Sequence, residues 1–173
     1  VPLSLRFRSA SGSNEVDLSE LRLADLEVHI SSGKAHVILP SVVGQDYATS
    51  LELSSGDMDV EAAGGAHLDM SLDMSSGDAR VALGQGSDAT VSFEGSSGEF
   101  SLELATGQAF RVEVKKVSSG DVKLPSGLVR VEEGDDDDEG IWETAGYADA
   151  PHQVLLIIEK LSSGSVDIDF GGI

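Results

Sequence analysis

Along most of this chain apolar and polar residues alternate, and the alternation is cut at regular intervals by one kind of turn. Met58, Val60 and Ala62 alternate with Asp57, Asp59 and Glu61; Ala79, Val81 and Leu83 follow the same rule, as do Phe100, Leu102 and Leu104. A period of two marks a strand with one buried face. Each of these runs begins directly after a glycine. The third and fifth residues before the glycine are apolar as well: Ile30 and Val28, Leu53 and Leu51, Met74 and Leu72. A strand therefore leads into the turn and a second strand leads out of it.

The turn is Ser-Ser-Gly, at Ser31-Ser32-Gly33, Ser54-Ser55-Gly56, Ser75-Ser76-Gly77, Ser96-Ser97-Gly98, Ser118-Ser119-Gly120 and Ser162-Ser163-Gly164, with Ala10-Ser11-Gly12 as a variant. Successive glycines are 21, 23, 21, 21, 22 and 44 residues apart. The final step is twice the period, so a copy without its signature is expected near residue 142. Glycine suits a turn through its tolerance of positive φ, and serine through local hydroxyl bonds to the backbone. A second corner falls half a period on, marked by Gly44, Gly64-Gly65, Gly84 to Gly86, Gly107 and Gly127. An up-and-down meander would need about fourteen strands, more than twisted open sheets usually hold. A barrel of that size would leave a lumen that Ala, Val and Leu cannot fill. The pattern predicts an all-β, β-helix-like solenoid of about eight coils of ~22 residues each. Stacked at ~4.8 Å per coil, it would be a rod about 38 Å long.

Composition adds bounds. The 173 residues are read as a single domain, 1–173, with an acidic loop insertion at about 133–141. Aromatic residues make up 5%, which suits a slim core of Val, Leu, Met and Ala, and the absence of cysteine excludes disulfides and thiolate-bound metal. The longest apolar run, Val154 to Ile158, is too short to span a bilayer. The chain opens on Val rather than Met, which leaves room for an upstream signal or membrane anchor. With 31 acids against 11 bases the net charge is −20, which argues against nucleic acid and anionic lipid as partners. The acids fall mostly on outward strand positions, where they favour solubility; binding of a cation or of a basic partner is the sharper reading.

Local features refine this picture. Leu3, Leu5 and Phe7 alternate with Ser4, Arg6 and Arg8 in a first strand that should form one end of the stack, its edge guarded by Arg6, Arg8, Arg22 and Lys34. Residues 13–30 read as strand with one irregularity, and Pro40 ends the following half-coil. Asp57, Asp78, Glu99 and Asp121 each follow a turn glycine and should form a row along one edge. That row is read as solvated turn residues rather than a cation ladder, because even weak Ca²⁺ sites need six or more converging oxygens. In Val114 to Gly120 and Ile158 to Gly164 a charged residue takes the fifth place before the glycine, which predicts a β-bulge in each.

The repeat lapses between Val131 and Pro151. Asp135, Asp136, Asp137, Asp138 and Glu139 are followed by Gly140-Ile141-Trp142-Glu143-Thr144-Ala145-Gly146-Tyr147, which holds the single Trp. The expectation is a mobile acidic loop with Trp142 and Tyr147 packed at its root, either as a cap on the core or as an apolar anchor inside an acidic rim. Loops on a rigid scaffold and aromatic anchors are common sites of binding. Weak divalent-cation binding is a further option there, although consecutive acids lack the alternating ligands of an EF-hand. No catalytic residues, cofactor or defined metal site are expected. Ser31-Ser32-Gly33-Lys34 matches Ser-x-x-Lys, a motif that works at a helix start, and here it is one turn copy among seven. His29, His36, His67 and His152 are scattered; His29 and His36 flank one turn and could approach across it.

The serial Ser-Gly-Asp turns, the Gly140 to Tyr147 segment and the closing Ser162-Ser163-Gly164-Ser165-Val166-Asp167-Ile168 resemble bacterial toast-rack domains. These include adhesin-like proteins and the C-terminal domain of LiaF-like cell-wall-active antibiotic response proteins. The resemblance spans nearly the whole chain. It implies a non-enzymatic interaction module, associated with the cell envelope or extracellular, with the cytoplasmic face as the other location. The module would be adhesin-like or would serve envelope-stress signalling through a protein partner. Two alternatives stand beside it: a self-assembling structural solenoid, and a carbohydrate-active β-helix enzyme, which the scarcity of aromatic subsite residues disfavours.

Overall fold

The structure, a computed structural model, describes residues 1–41 and 46–171. Five consecutive coils open it: β1 (Leu3–Ser9) with β2 (Ser13–Asp17), β3 (Leu23–Ile30) with β4 (Lys34–Leu39), β5 (Asp46–Leu53) with β6 (Asp57–Ala62), β7 (His67–Met74) with β8 (Asp78–Leu83), and β9 (Asp88–Gly95) with β10 (Glu99–Leu104). Odd strands build one parallel sheet and even strands the other. Val37 lies beside Val60, Val60 beside Val81, and Val81 beside Leu102, all fully buried. The architecture is the β-solenoid that the alternation predicts. The expected irregularity in residues 13–30 sits opposite the start of β1, where Leu3 pairs with Leu23 but Ser4 with Asp25. Pro40 follows the end of β4, and its carbonyl accepts a 2.7 Å hydrogen bond from the buried Tyr47 hydroxyl. The corner expected at Gly44 lies outside the described residues.

The Ser-Ser-Gly corners stack in one row. Gly33, Gly56, Gly77 and Gly98 have φ of 97°, 104°, 100° and 100°, where side chains are strained. A Cβ on any of them would also run into the backbone of the glycine one coil below. Glycine is thus required twice, by its own dihedral and by its neighbour. The serines act differently from the local bonding expected of them. Ser55 Oγ donates to the Ser31 carbonyl at 3.0 Å, Ser76 to Ser54 at 3.0 Å and Ser97 to Ser75 at 3.0 Å. The flat stack leaves a carbonyl of the coil below in reach, so the hydroxyls tie coils together rather than closing their own turns.

Beyond the fifth coil the chain departs from the eight-coil expectation. It skips one level before forming β11 (Ala109–Val114) and β12 (Asp121–Lys123), then makes an antiparallel hairpin of β13 (Leu128–Glu133) and β14 (Gly140–Thr144) and a 3₁₀ turn at Tyr147–Asp149. The last strands, β15 (Gln153–Leu161) and β16 (Ser165–Phe170), then return into the vacant level. β15 lies between β9 and β11, and β16 between β10 and β12. The double step in glycine spacing is therefore no lost copy: residues 140–144 are a hairpin strand, and Gly164 stacks on Gly98 and beneath Gly120.

Both predicted stretches carry an extra residue and are neighbours, and a register slip appears at the one in β15. The register of β15 against β9 slips between Ile158 and Lys160. β11 carries the same extra residue, so the two stay in step: Val114 faces Ile158 and Val117 faces Leu161. Returning to the slot buries Val154, Leu156, Ile158, Leu161, Val166 and Ile168, each worth roughly 1.5–3 kcal/mol of apolar burial. The core is filled by such inward positions from both sheets, with Phe93 and Phe100 stacked at 4.5 Å between ring centroids.

Candidate functional site

The hairpin at the far end of the stack and the 3₁₀ turn after it carry every residue singled out in the lapsed repeat, and they separate them. β14 pairs with β11, Trp142 opposite the buried Val112, so the indole faces inward over the end of the core. On its far side lies the Arg130 guanidinium, 4.9 Å from the ring centroid, a cation–π lid. Tyr147 lies past the other end of β14, buried on the outer face under Arg111 at 4.7 Å. Arg111 is itself held by Glu143, at 2.8 Å from Nε. Burial pushes the Tyr147 phenol up from its ordinary pKa. Trp142 therefore caps the core and Tyr147 belongs to a different face; they do not share one patch.

The acidic run also divides. Glu139 has a side chain only 4% exposed and takes a 3.1 Å bond from Lys116 Nζ and a 3.3 Å bond from the Val117 N–H. The Lys116 ammonium holds its carboxyl below the usual carboxylate range. Its carbonyl accepts from Arg130 Nη2 at 2.6 Å and from the Gly134 N–H at 3.0 Å. Glu139 is thus the pin of the loop. Asp135, Asp137 and Asp138 are exposed and make no ion pair among the described residues, whereas Asp136 approaches Lys116 at 3.6 Å.

Sequence reasoning passed over Val129 and Val131. They are 58% and 51% exposed, on a strand whose outer edge pairs with no other strand among the described residues, beside Glu132 and Glu133. The signal was present as apolar residues alternating with charge just before the acidic run. It could be read only once β13 was known to be the last strand of its sheet.

A second cluster lies on the outer face of the seven-stranded sheet, beside a shallow groove of about 580 Å³. Ligand atoms of His36, Asp59 and Glu61 lie within 4.8 Å of one another, a spacing compatible with a cation. Arg80 already occupies them, donating to Asp59 at 2.7 Å, to Glu61 at 3.1 Å and through Nε to Glu103 at 2.7 Å. Hydrogen bonding to Arg80 holds the Glu103 carboxyl below its ordinary value. The row of turn acids is interrupted too: Ser165 stands between Glu99 and Asp121, and Lys34 bonds Asp57 at 2.6 Å. His29 and His36 do not meet in a pair; His29 bonds Glu52 at 2.8 Å and His36 lies 3.3 Å from Asp59.

The family described as Toastrack DUF4097 matches residues 4–169, and the chain belongs to it. No curated protein and no solved structure shows significant similarity to the chain.

Proposed function

We propose that this toast-rack domain is a non-enzymatic interaction module of the bacterial cell envelope, adhesin-like or engaged in envelope-stress signalling, which receives a basic protein segment at its distal hairpin. One observation carries the reading: β13 is an edge strand with Val129 and Val131 exposed, flanked by Glu132, Glu133 and the unpaired Asp135, Asp137 and Asp138. An extended partner that adds a strand to such an edge gains main-chain hydrogen bonds, while alternate side chains supply specificity. The acids would steer a basic sequence to the edge and repel acidic ones.

The test is site-specific photo-crosslinking in the native host. A photoreactive residue at Val129 should trap a discrete basic envelope protein, and deleting Asp135 to Asp138 should abolish the adduct. The same probe at Asp69, in the middle of the sheet, should trap nothing. Equal labelling from both positions, or an adduct that survives the deletion, would overturn the reading.

A further inference from the structure

Among the described residues, the opposite end of the solenoid is open. No strand lies beyond β1 or β2 among the described residues, so both sheets end there with a free edge. Leu3 and Leu5 lie 48% and 36% exposed, although they pair with the buried Leu23 and Leu26 and face the same interior. Phe7 and Val16 are only partly covered. Repeat proteins normally close such an end with a polar cap. This end has none.

The two free edges carry opposite charge. The outward residues of β1 include Arg6 and Arg8, which share one carboxylate, Glu27, at 2.6 and 3.6 Å. Positive charge is left in excess on that strand. The outward residues of β2 include Glu15 and Asp17, which make no ion pair among the described residues. Asp17 is instead oriented by the Ser19 N–H at 3.0 Å and the Ser19 hydroxyl at 2.6 Å.

We infer that a second copy of this chain covers the open end, the two joined head to head by a two-fold axis that runs along the strands between the sheets. β1 and β2 run in opposite directions within a coil. The rotation therefore places β1 of one copy beside β2 of the other as an antiparallel pair, and does so twice. Such a rotation leaves every residue at its own height along the strand. Inside the coil, Asn14 Nδ2 bonds Ser9 Oγ at 2.8 Å, which fixes those two at one height. Arg8 is then level with Glu15, Phe7 with Val16 and Arg6 with Asp17. The symmetry alone brings each arginine to an acid of the partner copy and each apolar residue to another. The rival two-fold axis, normal to the sheets, would set β1 against β1 and β2 against β2, with like charges opposed, which is destabilising.

The contact closes upon itself, since the other end of the stack cannot repeat it. There the nine-stranded sheet runs two strands past the seven-stranded one, and Trp142 and Arg130 cover the core. The assembly is a dimer with both acidic hairpins facing outward, not a filament. Its footprint, about 23 Å of strand across two sheets ~10 Å apart, is smaller than that of a standard specific interface, so association should be weak. Dissociation in the micromolar range is expected.

Sedimentation equilibrium of the 173-residue chain across the micromolar range tests the inference. Twice the chain mass should appear as concentration rises. Arg8→Glu alone and Glu15→Arg alone should each weaken association about tenfold or more, and the two combined in one chain should restore it. Both positions are exposed, so folding should be unaffected, which circular dichroism checks. The chain has no cysteine, so Arg6→Cys and Asp17→Cys chains, when mixed, should form a disulfide-linked dimer that carries one of each. A monomer at every concentration, or a dimer that the swaps do not weaken and rescue, would overturn the inference.

Discussion

The two ends of this solenoid solve the same problem in opposite ways. Each ends a stack of parallel strands that would otherwise leave backbone and core exposed. At the distal end the chain turns back as an antiparallel hairpin, lays Trp142 over the core and threads its last coil between two earlier ones. At the proximal end β1 and β2 are the last described strands of their sheets, with Leu3 and Leu5 in view of solvent. The distal end is thus held by contacts between residues far apart in sequence, and the proximal end by one neighbouring coil. Stability should be distributed accordingly: losses at the distal end should spread through the stack, and losses at the proximal end should stay local.

The largest effect should come from removing residues 151–173. This takes away β15 and β16, and with them the partners of β9, β10, β11 and β12 at once. The six buried apolar side chains lost represent roughly 9–18 kcal/mol of burial, comparable with the whole stability of a domain this size, about 5–15 kcal/mol. The truncated chain should show no cooperative melt. Removing residues 1–17 instead should leave a cooperative transition shifted down by several degrees. If both truncations melt alike, the contrast between the ends is wrong.

Next in size is the cap. Trp142→Ala uncovers the core beneath Arg130 and should cost about 2–3 kcal/mol in urea unfolding. Leu5→Ala, at the open end, removes a side chain already part exposed and should cost less than about 1 kcal/mol in the monomer. Comparable losses at the two positions would show that the open end is already covered in the sample measured.

Much of this architecture was legible before the structure, and the gaps have a common cause. The glycine row, the inward positions after each corner and both extra residues follow from local pattern, because each repeat states them again. The return of the last coil into an earlier slot does not. It is a pairing of Ile158 with Phe93 and Val114, and spacing along the chain is silent on who neighbours whom. The matching extra residues of β11 and β15 were the trace it left: two strands that share an irregularity can pair in step. Arg80 shows the same limit on a smaller scale. By pattern it is one more outward residue, free to change. By register it faces Asp59 and Ser101 across neighbouring strands, and its guanidinium also reaches Glu61 and Glu103. Arg80→Asp should therefore cost about 1–2 kcal/mol rather than nothing, because it leaves four carboxylates together. A change indistinguishable from Ser101→Asp would show that the network is too solvated to matter. The site was least legible of all, since Val129 and Val131 matter only as members of an uncovered edge.

The returning coil also brings a titration with a defined sign. Asp88 accepts from His152 Nδ1 at 2.8 Å and from the Gln153 N–H at 2.9 Å, where the chain re-enters the stack. Burial pushes the Asp88 carboxyl up, but those hydrogen bonds and the charges of His152 and His67 together hold it below its ordinary value. A carboxyl depressed in the folded state adds stability above its unfolded pKa of about 3.9, and that stability is lost as pH falls through the folded value. Wild type should therefore melt higher than Asp88→Asn near about pH 7, and the gap should narrow as pH drops toward about 3. A gap that widens in acid would reverse the assignment.

The last effect has the opposite sign and lies toward the open end. Thr49 sits at an inward position of β5, 2% exposed, between Tyr47 and Leu51 in the alternation. Its Oγ1 is buried without a hydrogen-bond partner, and among the described residues it is the side-chain polar atom in that condition. A hydroxyl taken from water and given nothing in return costs about 1–3 kcal/mol, and a methyl group in the same place carries no such penalty. Threonine and valine share a branched shape, so the cavity need not change. Thr49→Val should raise stability by about 1 kcal/mol with the same denaturant slope. Because β5 pairs with β3 and β7 alone, that gain should protect amides of the second to fourth coils in hydrogen exchange and leave β11, β14 and β15 as they were. Protection that rises equally across the hairpin and the returning coil would mean that the stack unfolds as one unit, and that the two ends differ in construction but not in stability.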